Sequence, residues 1–169
     1  MKKITIYVGL IILTTLFFNA CGISQTAAEK EQQAAEINEA VMNSDFTFKA
    51  KFAYPLGFRS IYLPPSYDVV VLPDTAKVYL PFYGRAYKAP IHPGDGGYLF
   101  TSTDFEYQIS PGKNDKNWIV KMIFNDRDRP IEFLFDIWNN GSTHLSVNDM
   151  DRQSISFQGE IEINDREKD

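Results

Sequence analysis

Few side chains in this sequence could carry covalent or acid–base chemistry. The 169 residues include one cysteine, Cys21, and two histidines, His92 and His144. A lone cysteine excludes an intramolecular disulfide, a thiolate zinc cluster and a Cys-x-x-Cys redox pair. His92 lies between Ile91 and Pro93 in a loop, and His144 falls on the outward phase of a strand whose inward residues are Leu145 and Val147. Neither has a sequence-local nucleophile, because no Gly-x-Ser-x-Gly is present. No Asp or Glu pair forms a recognisable glycosidic site. Asp126, Asp128, Asp149 and Asp151 supply the oxygens that calcium prefers. However, Asp149-x-Asp151 lacks the glycine and distal glutamate of the calcium loop, so these read as turn acids. Gly94-Asp95-Gly96-Gly97 could turn backbone amides toward an anion. No Lys-Ser/Thr and no helix follow it, which excludes a nucleotide loop and favours a tight connection.

Better candidates for binding are aromatic and cationic. Arg85 stands between Tyr83 and Tyr87, where a guanidinium stacked on rings can grip a carboxylate or a sugar. Arg152, just before the last strand, could do the same, although each arginine could instead pair with a nearby aspartate. Trp138, Tyr79 and Tyr107 sit on outward phases and either line a binding face or are covered by a second layer or a helix. Arg85, Tyr83, Tyr87, Asp95, Arg152 and Trp138 are therefore the candidate binding residues. No catalytic set, metal set or cofactor is expected. With 17 basic and 22 acidic residues, net charge −5, nucleic acid is not an expected partner.

Cys21 has a different use. Met1-Lys2-Lys3 precedes an uncharged run from Ile4 to Phe18, too short for a spanning helix of about 20 residues and suited to a signal peptide. Phe18-Asn19-Ala20-Cys21 resembles a bacterial lipobox, with Phe18 and Asn19 standing where Leu and a small residue are usual. The resemblance implies cleavage before Cys21 and lipidation of its thiol, which would anchor the protein through several acyl chains. Gly22 is neither an aspartate of inner-membrane retention nor the start of an acidic export stretch, so an outer-membrane, periplasm-facing location is expected.

The elements that position these residues change character along the chain. Residues 1–20 read as the signal peptide and 21–43 as the lipidated Cys21 and a helical tether. Residues 44–164 read as an all-β domain and 165–169 as a charged tail. Thr26 to Met42 is rich in helix formers, with a capping box at Thr26 and Glu29 and a thin apolar face of Ala34, Ile37 and Val41. From Asp45 the period becomes two. Phe46, Phe48, Ala50, Phe52 and Tyr54 form one face of a strand, alternating with Thr47, Lys49, Lys51 and Ala53. Further strands are expected at 59–63, 67–72, 77–80, 98–101, 105–109, 118–124, 131–138, around 145–147, and at 155–163. Residues 118–124, apolar on both faces apart from Lys121, should be a central strand. Asn139-Asn140-Gly141 is a hairpin signal. About 8–10 strands separated by such turns indicate an antiparallel β-sandwich or flattened β-barrel.

Three segments make the sequence resemble domain-of-unknown-function family 4251, a group of small bacterial envelope lipoproteins. They are Tyr79-Leu80-Pro81-Phe82-Tyr83-Gly84-Arg85-Ala86-Tyr87, Gly94-Asp95-Gly96-Gly97-Tyr98-Leu99-Phe100, and Asn148 through Gly159. The resemblance covers residues 40–163 and implies an envelope lipoprotein with no assigned activity. The expected role is a non-catalytic binding or scaffold module. It would be held to the membrane by Cys21 and engage an envelope protein, a glycan or a small apolar ligand. A lipocalin-like carrier with a hollow interior is the alternative. A small hydrolase using Asp95 or His92 is a lesser one.

Overall fold

The computed structural model describes residues 26–88, 96–113 and 116–164. Two compact units divide the chain, residues 1–30 and 31–169. The described part of the first is the opening turn of helix α1 (Ala27–Met42). It is closed by the expected capping box: the Thr26 amide donates to Glu29 Oε2 at 2.7 Å and the Glu29 amide to Thr26 Oγ1 at 3.3 Å. Among the described residues no helix is long and apolar enough to cross a membrane.

The second unit holds the rest of α1 and a single antiparallel sheet. Its strands are β1 (Phe46–Pro55), β2 (Ile61–Tyr62), β3 (Asp68–Val71), β4 (Ala76–Pro81), β5 (Gly97–Ser102), β6 (Phe105–Pro111), β7 (Asn117–Phe124), β8 (Ile131–Trp138), β9 (Ser142–Asn148) and β10 (Ile155–Ile163). They lie in the order β5-β4-β3-β1-β10-β9-β8-β7-β6, with β2 paired to β1. The sheet is long enough to curl on itself. Phe100 of β5 meets Phe124 of β7 at 5.1 Å, and Tyr98 meets Phe133 of β8 at 6.2 Å. The result is the expected flattened barrel, nearly closed, with β5 and β6 as its two edges. Strand β7 is interior, as its two apolar faces require, but lies one place from the edge.

Rings fill the inside of this barrel. Phe46, Phe48, Phe124, Phe133, Phe135 and Phe157 are all fully buried. Phe133 is the hub, edge-on to Phe124 at 5.0 Å and in ring contact with Tyr98, Phe100 and Phe135.

Helix α1 belongs to the same core through its second half. Ile37, Ala40 and Val41 are buried against the sheet. Gly141, at φ 82°, makes the tight β8–β9 turn, and a Cβ there would press on Ile37 Cδ1 at 3.3 Å. The helix ends in a Schellman arrangement: the Ser44 amide bonds Val41 O at 3.2 Å and the Asp45 amide bonds Ala40 O at 2.8 Å. Ser44 takes the left-handed position at φ 54°, and its hydroxyl bonds that of Tyr107.

One correction concerns β1. The alternation read from sequence holds through Ala50 and then slips, because a bulge interrupts the β1–β10 register between Ala50 and Phe52. Beyond it Ala53 and Pro55 are buried, while Phe52 and Tyr54 face out. Gly159 lies opposite Ala50, where a Cβ would collide with the Lys49 carbonyl, so only glycine lets the two backbones approach at this point.

Candidate functional site

The bulge sets the surface chemistry. By adding one residue to β1 it moves two aromatic side chains from the core phase to the outer face. Phe52 packs edge-on to Tyr62 of β2 at 5.5 Å, and the Tyr54 hydroxyl lies 3.0 Å from Gln158 Oε1. Leu56 is next in the same phase. It opens a groove of about 380 Å³ lined by Leu56, Phe58, Gly84, Arg85, Tyr87 and Gln153. Phe58 is 71% exposed and Tyr87 64% exposed.

Two segments form the walls. The β1–β2 turn places Phe58, its amide bonded to Pro55 O at 3.2 Å, with Gly57 at φ 83° making the reversal. Facing it, residues 85–87 are laced to residues 151–153. Ala86 bridges Arg152, the Tyr87 amide bonds Asp151 O at 2.8 Å, and the Gln153 amide bonds Arg85 O at 2.9 Å. The Gln153 side chain returns the contact, its Oε1 accepting from the Arg85 amide at 3.3 Å. The backbone on that side is therefore fixed, while the Arg85 guanidinium and the Tyr87 ring stand at the surface.

Arg85 and Tyr87, both singled out from sequence, thus come together. The other candidates do not join them. Tyr83 is half-buried and packs on the core. Arg152 turns inward, with its guanidinium 5.2 Å from the Phe82 ring and 5.0 Å from the Tyr98 ring. Its Nη1 donates to Gly97 O at 3.0 Å, and its Nε lies 3.8 Å from Asp149 Oδ2. These contacts tie the start of β10 to β5, a structural role. Burial pushes the neighbouring Tyr98 phenol well above its ordinary pKa, the Asp149 carboxylate adding to the rise and Arg152 opposing it. Trp138 is exposed but ends β8 opposite Asn117, at the other end of that strand from Ile131. Tyr107 is covered, its hydroxyl bonded to the Val41 carbonyl at 2.7 Å. Tyr79 stays exposed and stacks on Tyr67 at 5.1 Å. Asp95, Cys21 and His92 lie outside the described residues.

The Asp149 Oδ1 accepts the Asp151 amide at 2.8 Å, closing the turn between them. Among the described residues no group of three acids, histidines or cysteines could hold a metal ion. Sequence reading missed Leu56, Phe58 and Gln153 in the groove, and Phe52, Tyr54 and Tyr62 beside it. For Phe52 and Tyr54 the misleading signal was the unbroken alternation itself.

A family model described as a domain of unknown function, DUF4251, matches residues 28–161. The chain belongs to the DUF4251 family. The match begins at the second residue of α1, so nearly all of the helix is within the DUF4251 segment. The crystal structure of a DUF4251 family protein from Bacteroides eggerthii DSM 20697 is similar in fold. Its TM-score is 0.57 at 11% identity, covering 78% of this chain and 88% of that one. No curated protein matches this DUF4251 chain in sequence.

Proposed function

We propose that this DUF4251 protein is a lipid-anchored envelope protein, facing the periplasm from the outer membrane, that binds carbohydrate in the Leu56–Tyr87 groove without transforming it. The observation that carries the reading is the aromatic run that the β1 bulge turns outward and that leads into the groove. Sugar rings present flat C–H faces that stack on exposed aromatic side chains, and their hydroxyls take hydrogen bonds from amides and guanidinium groups. Phe58 and Tyr87 supply the faces, and Gln153 and Arg85 the polar contacts. The described groove lining is aromatic, aliphatic, amide and guanidinium in character, which supports a binding reading. The lipobox-like Phe18-Asn19-Ala20-Cys21 supports the anchoring.

The test is titration of the full chain in detergent against soluble oligosaccharides cut from envelope and plant polysaccharides, with Phe58→Ala and Tyr87→Ala alongside. Saturable binding lost in both variants is the expected result. Binding that survives both substitutions, or binding to no oligosaccharide, would overturn the reading.

A further inference from the structure

The charges around the groove narrow what it takes. Five arginines are described: Arg59, Arg85, Arg127, Arg129 and Arg152. Arg127 faces Asp126, Arg129 faces Asp151 and Arg152 faces Asp149. The other two, Arg59 and Arg85, show no acidic partner among the described residues. Arg85 lines the groove, and Arg59 follows the groove-lining Phe58 in the chain. The nearby Lys88, next to Tyr87, is drawn away to Asp128 at 3.0 Å and Asp151 at 3.9 Å. In a chain of net charge −5, the described residues that line the groove include one cation and no anion. An exposed guanidinium that shares a groove with Phe58 and Tyr87, its backbone fixed on both sides by Gln153, can take a planar anion.

We propose that the groove selects acidic glycans, those whose sugars carry a carboxylate, with Arg85 as the residue that reads the charge. The inference rests on the carbohydrate reading above and adds the substrate class. The sugar body stacks on Phe58 and Tyr87. The carboxylate meets the Arg85 guanidinium in a two-point contact that a lysine ammonium reproduces only as a point charge. Arg59 adds long-range attraction. Acidic sugars are favoured over a peptide carboxylate because the groove pairs its cation with exposed ring faces and a side-chain amide, which suit a polyhydroxylated ring.

Galacturonic acid oligosaccharides and their fully methyl-esterified forms differ in charge and little in shape. Titrating the full chain in detergent with both, at low and at physiological salt, separates the two readings. The acid form is expected to bind at least tenfold more tightly than the ester, with the advantage shrinking as salt rises. Arg85→Ala should bring the acid form to the level of the ester, and Arg85→Lys should keep part of the difference. Thermal melts of both variants check that the fold is retained, which the surface position of Arg85 leads one to expect. If acid and ester bind equally and Tyr87→Ala abolishes both, the groove binds glycan and charge selection is overturned. If neither form binds, the acidic-glycan proposal is overturned as well, and binding of neutral oligosaccharides by the same groove then decides the broader reading.

Discussion

The Tyr107 hydroxyl donates a 2.7 Å hydrogen bond to the carbonyl oxygen of Val41, fastening the last turn of α1 to strand β6. Burial raises the phenol's pKa, and the bond keeps its hydroxyl satisfied. Tyr107→Phe removes the donor and should cost about 1 kcal/mol. Ile37→Ala, which empties a buried site under the Gly141 turn, should cost about 2–5 kcal/mol. Urea unfolding measures both. A chain beginning at Asn43 loses Ile37, Ala40 and Val41 together and should melt well below the longer form. An equal melting temperature would show that the helix only leans on the domain.

Phe133 is the residue on which the interior depends most. It touches four other rings and is fully buried. Phe133→Ala should destabilise by about 3–5 kcal/mol, while Phe133→Leu should lose less because it refills most of the volume. Denaturant midpoints at constant slope would establish the ranking.

Gly159→Ala tests the bulge. The added methyl meets the Lys49 carbonyl, so β1 and β10 must part or slide. A loss of about 1–3 kcal/mol is expected from such overpacking. A second consequence is specific to the bulge: Phe52 and Tyr54 should lose their outward setting, and binding at the groove should weaken with them. A variant that is destabilised yet binds normally would show that the aromatic run is not needed for recognition.

Acid sensitivity should trace in part to Glu132. Its carboxylate meets Lys121 Nζ at 2.7 Å, and this hydrogen bond, helped by one from Asn148, holds its pKa below the ordinary value. A folded pKa below the unfolded one adds stability that is present above the unfolded value and is lost as pH falls through the folded one. The pair is partly exposed, so at most about 1 kcal/mol is involved. Glu132→Gln should therefore sit slightly below the parent protein at pH 7, with the gap closing in the acid range. Melting curves across pH would show whether it closes.

Cys21→Ala addresses the anchor. The parent protein should fractionate with membranes and take up labelled fatty acid, and the variant should do neither. A parent protein found in the aqueous fraction would remove the lipid from the picture.

Most of the architecture is legible in the sequence, for physical reasons. Strand β10 alternates Ile155, Phe157, Gly159 and Ile161 inward without a break, and β8 does the same with Phe133, Phe135 and Ile137. Such strands expose their register to simple counting. Strand β1 does not, because a bulge adds a residue without any local marker. The glycine that permits it is Gly159, more than a hundred positions away on the paired strand. Arg85, between Tyr83 and Tyr87, and Arg152, just before the last strand, both read in sequence as candidate binding arginines. They separate only when the Ala86–Arg152 bridge is formed, which aims one side chain inward and leaves the other outside. Groove residues drawn from two distant segments, such as Phe58 and Gln153, carry no mark that can be read locally.

Strand β1 opens the sheet in sequence and β10 closes it, yet the two lie side by side near its middle. A chain emerging from the ribosome can therefore assemble hairpins such as β3–β4 and β7–β8 early. It cannot join its two halves until the final strand has been synthesised. Pairing of this kind, between segments far apart along the chain, is slow to form. Assembly is in this sense timed by β10, and a chain that stops before that strand should leave β1 and β9 unpaired with each other's half-sheet rather than form a smaller version of the fold.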